Sequence, residues 1–88
     1  MIDHQYVAWF RNLSLASTEQ CHDWVACFLV AASDKNEALH WADELCRDFA
    51  IRNDQVFLRS YLDAGRWEVG SVPRVVAGTS VSDEAIGW

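Results

Sequence analysis

The chain has 88 residues, 51% of them hydrophobic and five of them tryptophan, with thirteen acids against seven bases and a net charge of −6. That length holds one domain, 1–88, able to bury roughly 60 to 70% of the surface its unfolded chain exposes, and the apolar content excludes a disordered chain. The acid excess argues against a nucleic-acid-tracking surface and permits a basic partner, and the bases, six of the seven Arg and spread singly, form no polybasic membrane patch.

No apolar run approaches the roughly 20 residues that span a bilayer, and the first residues carry no signal-like pattern, so a soluble cytoplasmic protein is expected. Cys21, Cys27 and Cys46 are odd in number and irregular in spacing, which suits reduced thiols better than a disulfide framework.

Residues 4–15 read as the first strand, with Val7, Trp9, Leu13 and Leu15 alternating against Tyr6, Ala8, Phe10 and Asn12. Small polar residues over 16–20 suit a connecting loop to an antiparallel neighbour. The second strand, 23–32, is apolar on both faces: Trp24, Ala26, Phe28, Val30 and Ala32 on one, Val25, Cys27, Leu29 and Ala31 on the other. Such a strand belongs in the middle of a sheet covered on both sides.

The segment 33–52 organises the fold. Asp34 and Glu37 have capping-box spacing, with Ser33 a competing cap, and the predicted helix covers 34–51. At about 100° per residue Ala38, Ala42, Leu45 and Phe49 form one stripe, flanked by Trp41 on one side and Leu39 and Cys46 on the other. Asn36, Glu37, His40, Asp43, Glu44, Arg47 and Asp48 lie opposite and are expected to be wet. Asn53 and Asp54 favour a turn, and 55–62 is the third strand, with Val56, Leu58 and Leu62 on one side and Phe57, Arg59 and Tyr61 on the other. The crossover returns this strand parallel to the second, either beside it or across the first.

The pattern weakens over the tail, 63–88. Gly65 marks a turn, 72–77 forms a short edge strand beside Pro73, and Ser82 opens one helical turn ending at Ile86. The expected fold is therefore a small α+β domain with a ββαβ core: a three- to four-stranded, mostly antiparallel sheet, one amphipathic helix on one face, and an irregular C-terminal tail. One helix covers one sheet face, so the second must be covered by the tail, by another copy or by a different protein.

Chemistry is hard to find. Cys21, His22 and Asp23 are consecutive, and neighbours on an extended chain point to opposite sides, so they read as a polar strand end. Paired Cys or His at zinc spacing is absent. His40, Asp43 and Glu44 share helical spacing, which any solvated face has, and the four glycines match no phosphate or dinucleotide loop. No catalytic residue, metal site or cofactor is assigned, and an enzyme is not expected.

In size, acidity and mixed α/β content the chain is similar to small immunity and inhibitor proteins that bind basic toxins, a likeness of type that transfers no residue roles. The first reading is a small acidic protein-binding module, of which an immunity or inhibitor protein is one form, with Asp43, Glu44, Glu68, Asp83, Glu84 and Trp88 as partner-binding residues. Trp67 and Trp88 read either as clamps of the tail or as partner anchors. The alternative is a homo-oligomeric structural or small-ligand-binding protein whose second sheet face is buried against another copy.

Overall fold

A computed structural model describes residues 2–12, 23–62 and 72–86. The elements are β1 (Ile2–Asn12), β2 (Asp23–Ala32), α1 (Lys35–Arg52), β3 (Gln55–Leu62), β4 (Arg74–Val76) and α2 (Asp83–Ile86). They form an α+β domain around one mixed sheet in the order β3-β1-β2-β4, in which β1 pairs antiparallel with both β2 and β3, and β2 pairs parallel with β4.

The order puts β2 in the interior of the sheet, as its sequence leads one to expect, with β1 interior beside it. Since β1 occupies one side of β2, the chain leaving β2 through α1 pairs on the far side of β1, so β3 runs parallel to β2 with β1 between them. Of the two crossover placements, this is the one across the first strand. The first strand starts two residues earlier than expected, at Ile2 rather than at residue 4, and the stretch assigned to 13–15 lies outside the described residues.

Helix α1 begins where its sequence says it should. Asp34 is the N-cap, its Oδ1 accepting the Glu37 amide at 2.8 Å, and the competing Ser33 instead donates its hydroxyl to the Glu37 carboxylate. At the other end the Asn53 amide donates to the Phe49 carbonyl at 3.1 Å, and Asp54 turns the chain through a positive φ of 55°. The buried stripe is Ala38, Ala42, Cys46, Phe49 and Ala50, rotated from the expected one toward Cys46 and away from Leu45. Three alanines on that stripe let the helix axis lie close to the strands.

The core between helix and sheet is built from alternate residues of each strand: Tyr6, Ala8 and Phe10 of β1 and Ala26, Phe28, Val30 and Ala32 of β2. Phe10 is its hub, stacked on Trp24 at 4.8 Å and meeting Phe49 and Phe57 edge-on at 5.4 and 5.8 Å. Such pairs add about 0.5 to 1.5 kcal/mol each beyond area burial. The Trp24 indole N–H donates to Gln55 Oε1 at 2.8 Å, and Gln55 Nε2 donates to Asn12 Oδ1 and to the Asn53 carbonyl, so a buried amide is fully satisfied at the end of the sheet.

Strand β3 departs from simple alternation. The register with β1 shifts between Trp9 and Phe10, whose partners are Arg59 and Phe57, leaving Leu58 as the extra residue of a β-bulge. Phe57, Ser60 and Leu62 consequently face the helix, and Val56, Leu58, Arg59 and Tyr61 face away. The two faces expected for 55–62 are thus corrected: Phe57 shares a face with Leu62 and not with Arg59 and Tyr61, while Val56 and Leu58 part from Leu62, because one inserted residue inverts the parity on either side of it.

The described part of the tail packs on the helix side. Val75 and Ile86 join the same core as α1, with Ala77, Val81 and Ala85 packed against it. The Pro73 carbonyl accepts from the Leu29 amide at 2.8 Å, and Ala77 donates to the Ala31 carbonyl at 2.9 Å, fixing β4 on the edge of β2. Residues 72–86 therefore complete the helical layer, and they do not cover the second sheet face.

Candidate interaction surface

Among the described residues the helical layer carries the excess acid. Taking α1 with its flanking turns and α2, it holds Asp34, Glu37, Asp43, Glu44, Asp48, Asp54, Asp83 and Glu84 against Lys35, Arg47 and Arg52. Among the described residues the other sheet face holds Arg11, Arg59 and Arg74 against Asp3 and Asp23, which nearly balance. Two of those arginines are paired in place, Arg11 with Asp23 at 2.9 Å and Arg74 with Asp3 at 3.0 Å, while Arg59 lies over the Trp9 ring at 5.2 Å.

On α1 the carboxylates of Glu37, Glu44 and Asp48 form a ridge. At 100° per residue they fall within about 40° of one another, on the side opposite the buried stripe, and they span about 16 Å along the axis. All three residues are exposed. Glu44 Oε1 lies 3.3 Å from His40 Nε2, and Asp48 accepts from Arg52 at 2.8 Å. Glu44, a partner-binding residue expected from the sequence, is here; Glu37 and Asp48, expected only to be wet, belong with it. Their common angular position was the available signal.

Asp43 is placed differently. Expected on the wet face, it is half-buried and its Oδ1 accepts from the Tyr6 hydroxyl at 2.7 Å and from the Ser60 hydroxyl, tying α1 to β1 and β3. Tyr6 is fully buried, so its hydroxyl requires a partner from the protein; Asp43 supplies it, with Ser60 also in hydrogen-bonding reach. Burial first, then the nearby Cys46 and Asp43, raises the Tyr6 phenol far above its ordinary value. Beside it burial pushes the Cys46 thiol up to about 12. His40 and Glu44 point outward while Asp43 points inward, so these three residues do not converge.

Asp83 is also committed internally. Its two carboxylate oxygens accept from Arg52 Nη1 and Nη2, both at 2.8 Å, and Asn53 Nδ2 donates to it at 3.1 Å. This bidentate clasp fastens α2 to the C-terminal turn of α1, and Arg52 holds the Asp83 carboxyl below the usual carboxylate range. Glu84, its neighbour on α2, is exposed. Glu68, Trp88, Trp67 and the Cys21 and His22 pair lie outside the described residues.

The outward sheet face is partly apolar. Val7 and Ala31 are buried there and Trp9, Cys27 and Leu29 are half-buried, but Val25, Val56, Leu58 and Tyr61 remain 46, 37, 39 and 45% exposed. Among the described residues no three His, Cys, Asp or Glu side chains group as metal ligands, and no helix is long and apolar enough to cross a membrane. No family model, curated protein or solved structure matches the chain.

Proposed function

We propose that this protein is a small acidic protein-binding module that receives a basic partner on the solvent side of its helical layer. The observation that carries the reading is the Glu37, Glu44 and Asp48 ridge, set in a layer with eight acids against three bases while the described charges of the opposite sheet face nearly balance. Charge gathered on one side gives the molecule a directional field, which steers a basic partner toward that side and speeds encounter.

Among the residues picked out by sequence, Glu44 and Glu84 are exposed on this layer and serve as contacts, whereas Asp43 and Asp83 act through the scaffold that presents them. An immunity or inhibitor protein is the form of module that best suits such a surface. The odd number and irregular spacing of the cysteines suit a reducing cytoplasm.

The test is affinity capture from host lysate with the wild-type protein and with a Glu37→Gln, Glu44→Lys variant of confirmed fold. A single basic protein retained near stoichiometry at low salt, released at high salt and absent from the variant is the expected result. Equal retention by both proteins would overturn the assignment of the ridge.

A further inference from the structure

Residues 72–86 begin at one end of the domain and finish at the other. They start on the edge of β2, where the Leu29 amide donates to the Pro73 carbonyl at 2.8 Å and the Ala77 amide to the Ala31 carbonyl at 2.9 Å. Helix α1 sets out just beyond Ala32 and returns along the sheet for 18 residues, about 27 Å, so Arg52 lies at the far end from Ala31. There Asp83 accepts from Arg52 Nη1 and Nη2, both at 2.8 Å, and Ile86 enters the core. Between the two anchors residues 78–80 are exposed, and the chain turns through Gly78 at a φ of +86°. We propose that residues 72–86 form a strap, latched by the Arg52 and Asp83 clasp, that opens and closes as one unit over the edge of β2 while the rest of the domain stays folded.

Two observations separate the strap from the body beneath it. Of its fifteen residues just Val75 and Ile86 are buried, so it is held by two apolar side chains, a three-residue strand and the clasp. The Arg74 and Asp3 pair at 3.0 Å is exposed on both sides and adds little. The bonds that hold the body do not pass through the strap: Phe10 meets Trp24, Phe49 and Phe57, and Tyr6 and Ser60 meet Asp43, all within β1, β2, α1 and β3. A segment with few buried contacts opens more readily than the whole domain unfolds. The edge it covers gives closure a purpose. Strand β2 is ten residues long and apolar on both faces, and an open edge of that kind pairs readily with another chain. Closed, the strap occupies Leu29 to Ala31; open, it bares those backbone groups together with the seats of Val75 and Ile86, so the latch sets access to that edge.

Native-state hydrogen exchange of the full chain reads the strap amide by amide and needs no partner. In the wild type, Leu29 and Ala77 should be protected at least tenfold less than Ala42 and Cys46 in the middle of α1, and their exchange should depend more weakly on urea, because the opening that frees them exposes less surface. Asp83→Asn keeps the shape of the clasp and removes its charge, so it should speed Leu29 and Ala77 about tenfold. Ser60→Ala weakens a bond that survives in the open form, so it should speed Ala42 and Cys46 severalfold and leave Leu29 and Ala77 unchanged. A common protection and urea dependence for all four amides in the wild type would overturn the proposal, since the strap would then open only when the domain unfolds. So would a Ser60→Ala protein in which Leu29 and Ala77 speed up as much as Ala42 and Cys46, or an Asp83→Asn protein in which Leu29 and Ala77 are unmoved.

Discussion

Replacing Asp43 by Ala separates a scaffold residue from a binding residue. The carboxylate accepts hydrogen bonds from Tyr6 at 2.7 Å and from Ser60, and the Tyr6 hydroxyl it leaves behind is fully buried. Hydrogen bonds to a charged group contribute about 1.5 to 3 kcal/mol and two are lost, with the Ser60 hydroxyl the weaker neutral acceptor that remains beside Tyr6, so the substitution should destabilise the fold by about 2 to 4 kcal/mol. A domain of this length has roughly 4 to 13 kcal/mol in total, which makes the loss a large fraction. In urea the midpoint should fall with an unchanged slope, and the melting temperature should drop by about 10 to 25 °C. Glu44→Ala, one residue along on the exposed face, should stay within about 0.5 kcal/mol. Combining Asp43→Ala with Tyr6→Phe should reveal a coupling above about 1 kcal/mol, because both remove the same bond. An Asp43→Ala protein within 0.5 kcal/mol of wild type, or a purely additive double variant, would refute this reasoning.

Three further outcomes are expected. Asp83 has its carboxyl held low by Arg52, so its contribution is present above the ordinary aspartate value of about 4 and fades as pH falls through the lower folded value; the stability gap between wild type and Asp83→Asn should narrow on acidification, and a gap that widens would contradict the clasp. Ala42 is fully buried between α1 and the strands, so Ala42→Leu should cost about 1 to 3 kcal/mol or more by overpacking, as read by chemical denaturation; a neutral result would mean that the helix does not sit close to the sheet. Cys46 is fully buried with its thiol pushed up to about 12, so peptide mapping after brief alkylation at pH 8 should find it unmodified in the native protein and modified once urea unfolds it; rapid native labelling would contradict its place in the core.

What was legible in the chain was its local grammar. The cap at Asp34, the helical periodicity of 35–52 and the bounds of β3 are written in neighbouring residues, and so is the interior position of β2, which is apolar on both faces. Hidden features depend on contacts between distant residues. Asp43 and Glu44 look alike on a helical projection, and what draws Asp43 inward is a tyrosine hydroxyl thirty-seven residues away in sequence. Asp83 resembled a free acid in the tail until Arg52, thirty-one residues earlier, was placed beside it. The bulge at Leu58 escapes periodicity for a different reason: an inserted residue leaves the composition of the strand unchanged and alters only which side chains share a face. The acidic ridge is legible in the sequence, since Glu37, Glu44 and Asp48 share one angular position on the helix.

The most direct measurement is the affinity of the basic protein captured at low salt, titrated against the wild type and the Glu37→Gln, Glu44→Lys variant at two salt concentrations. A binding surface on the helical layer predicts an affinity that falls with salt in the wild type and drops at least tenfold in the variant. Equal affinities for two equally folded proteins, unmoved by salt, would contradict it.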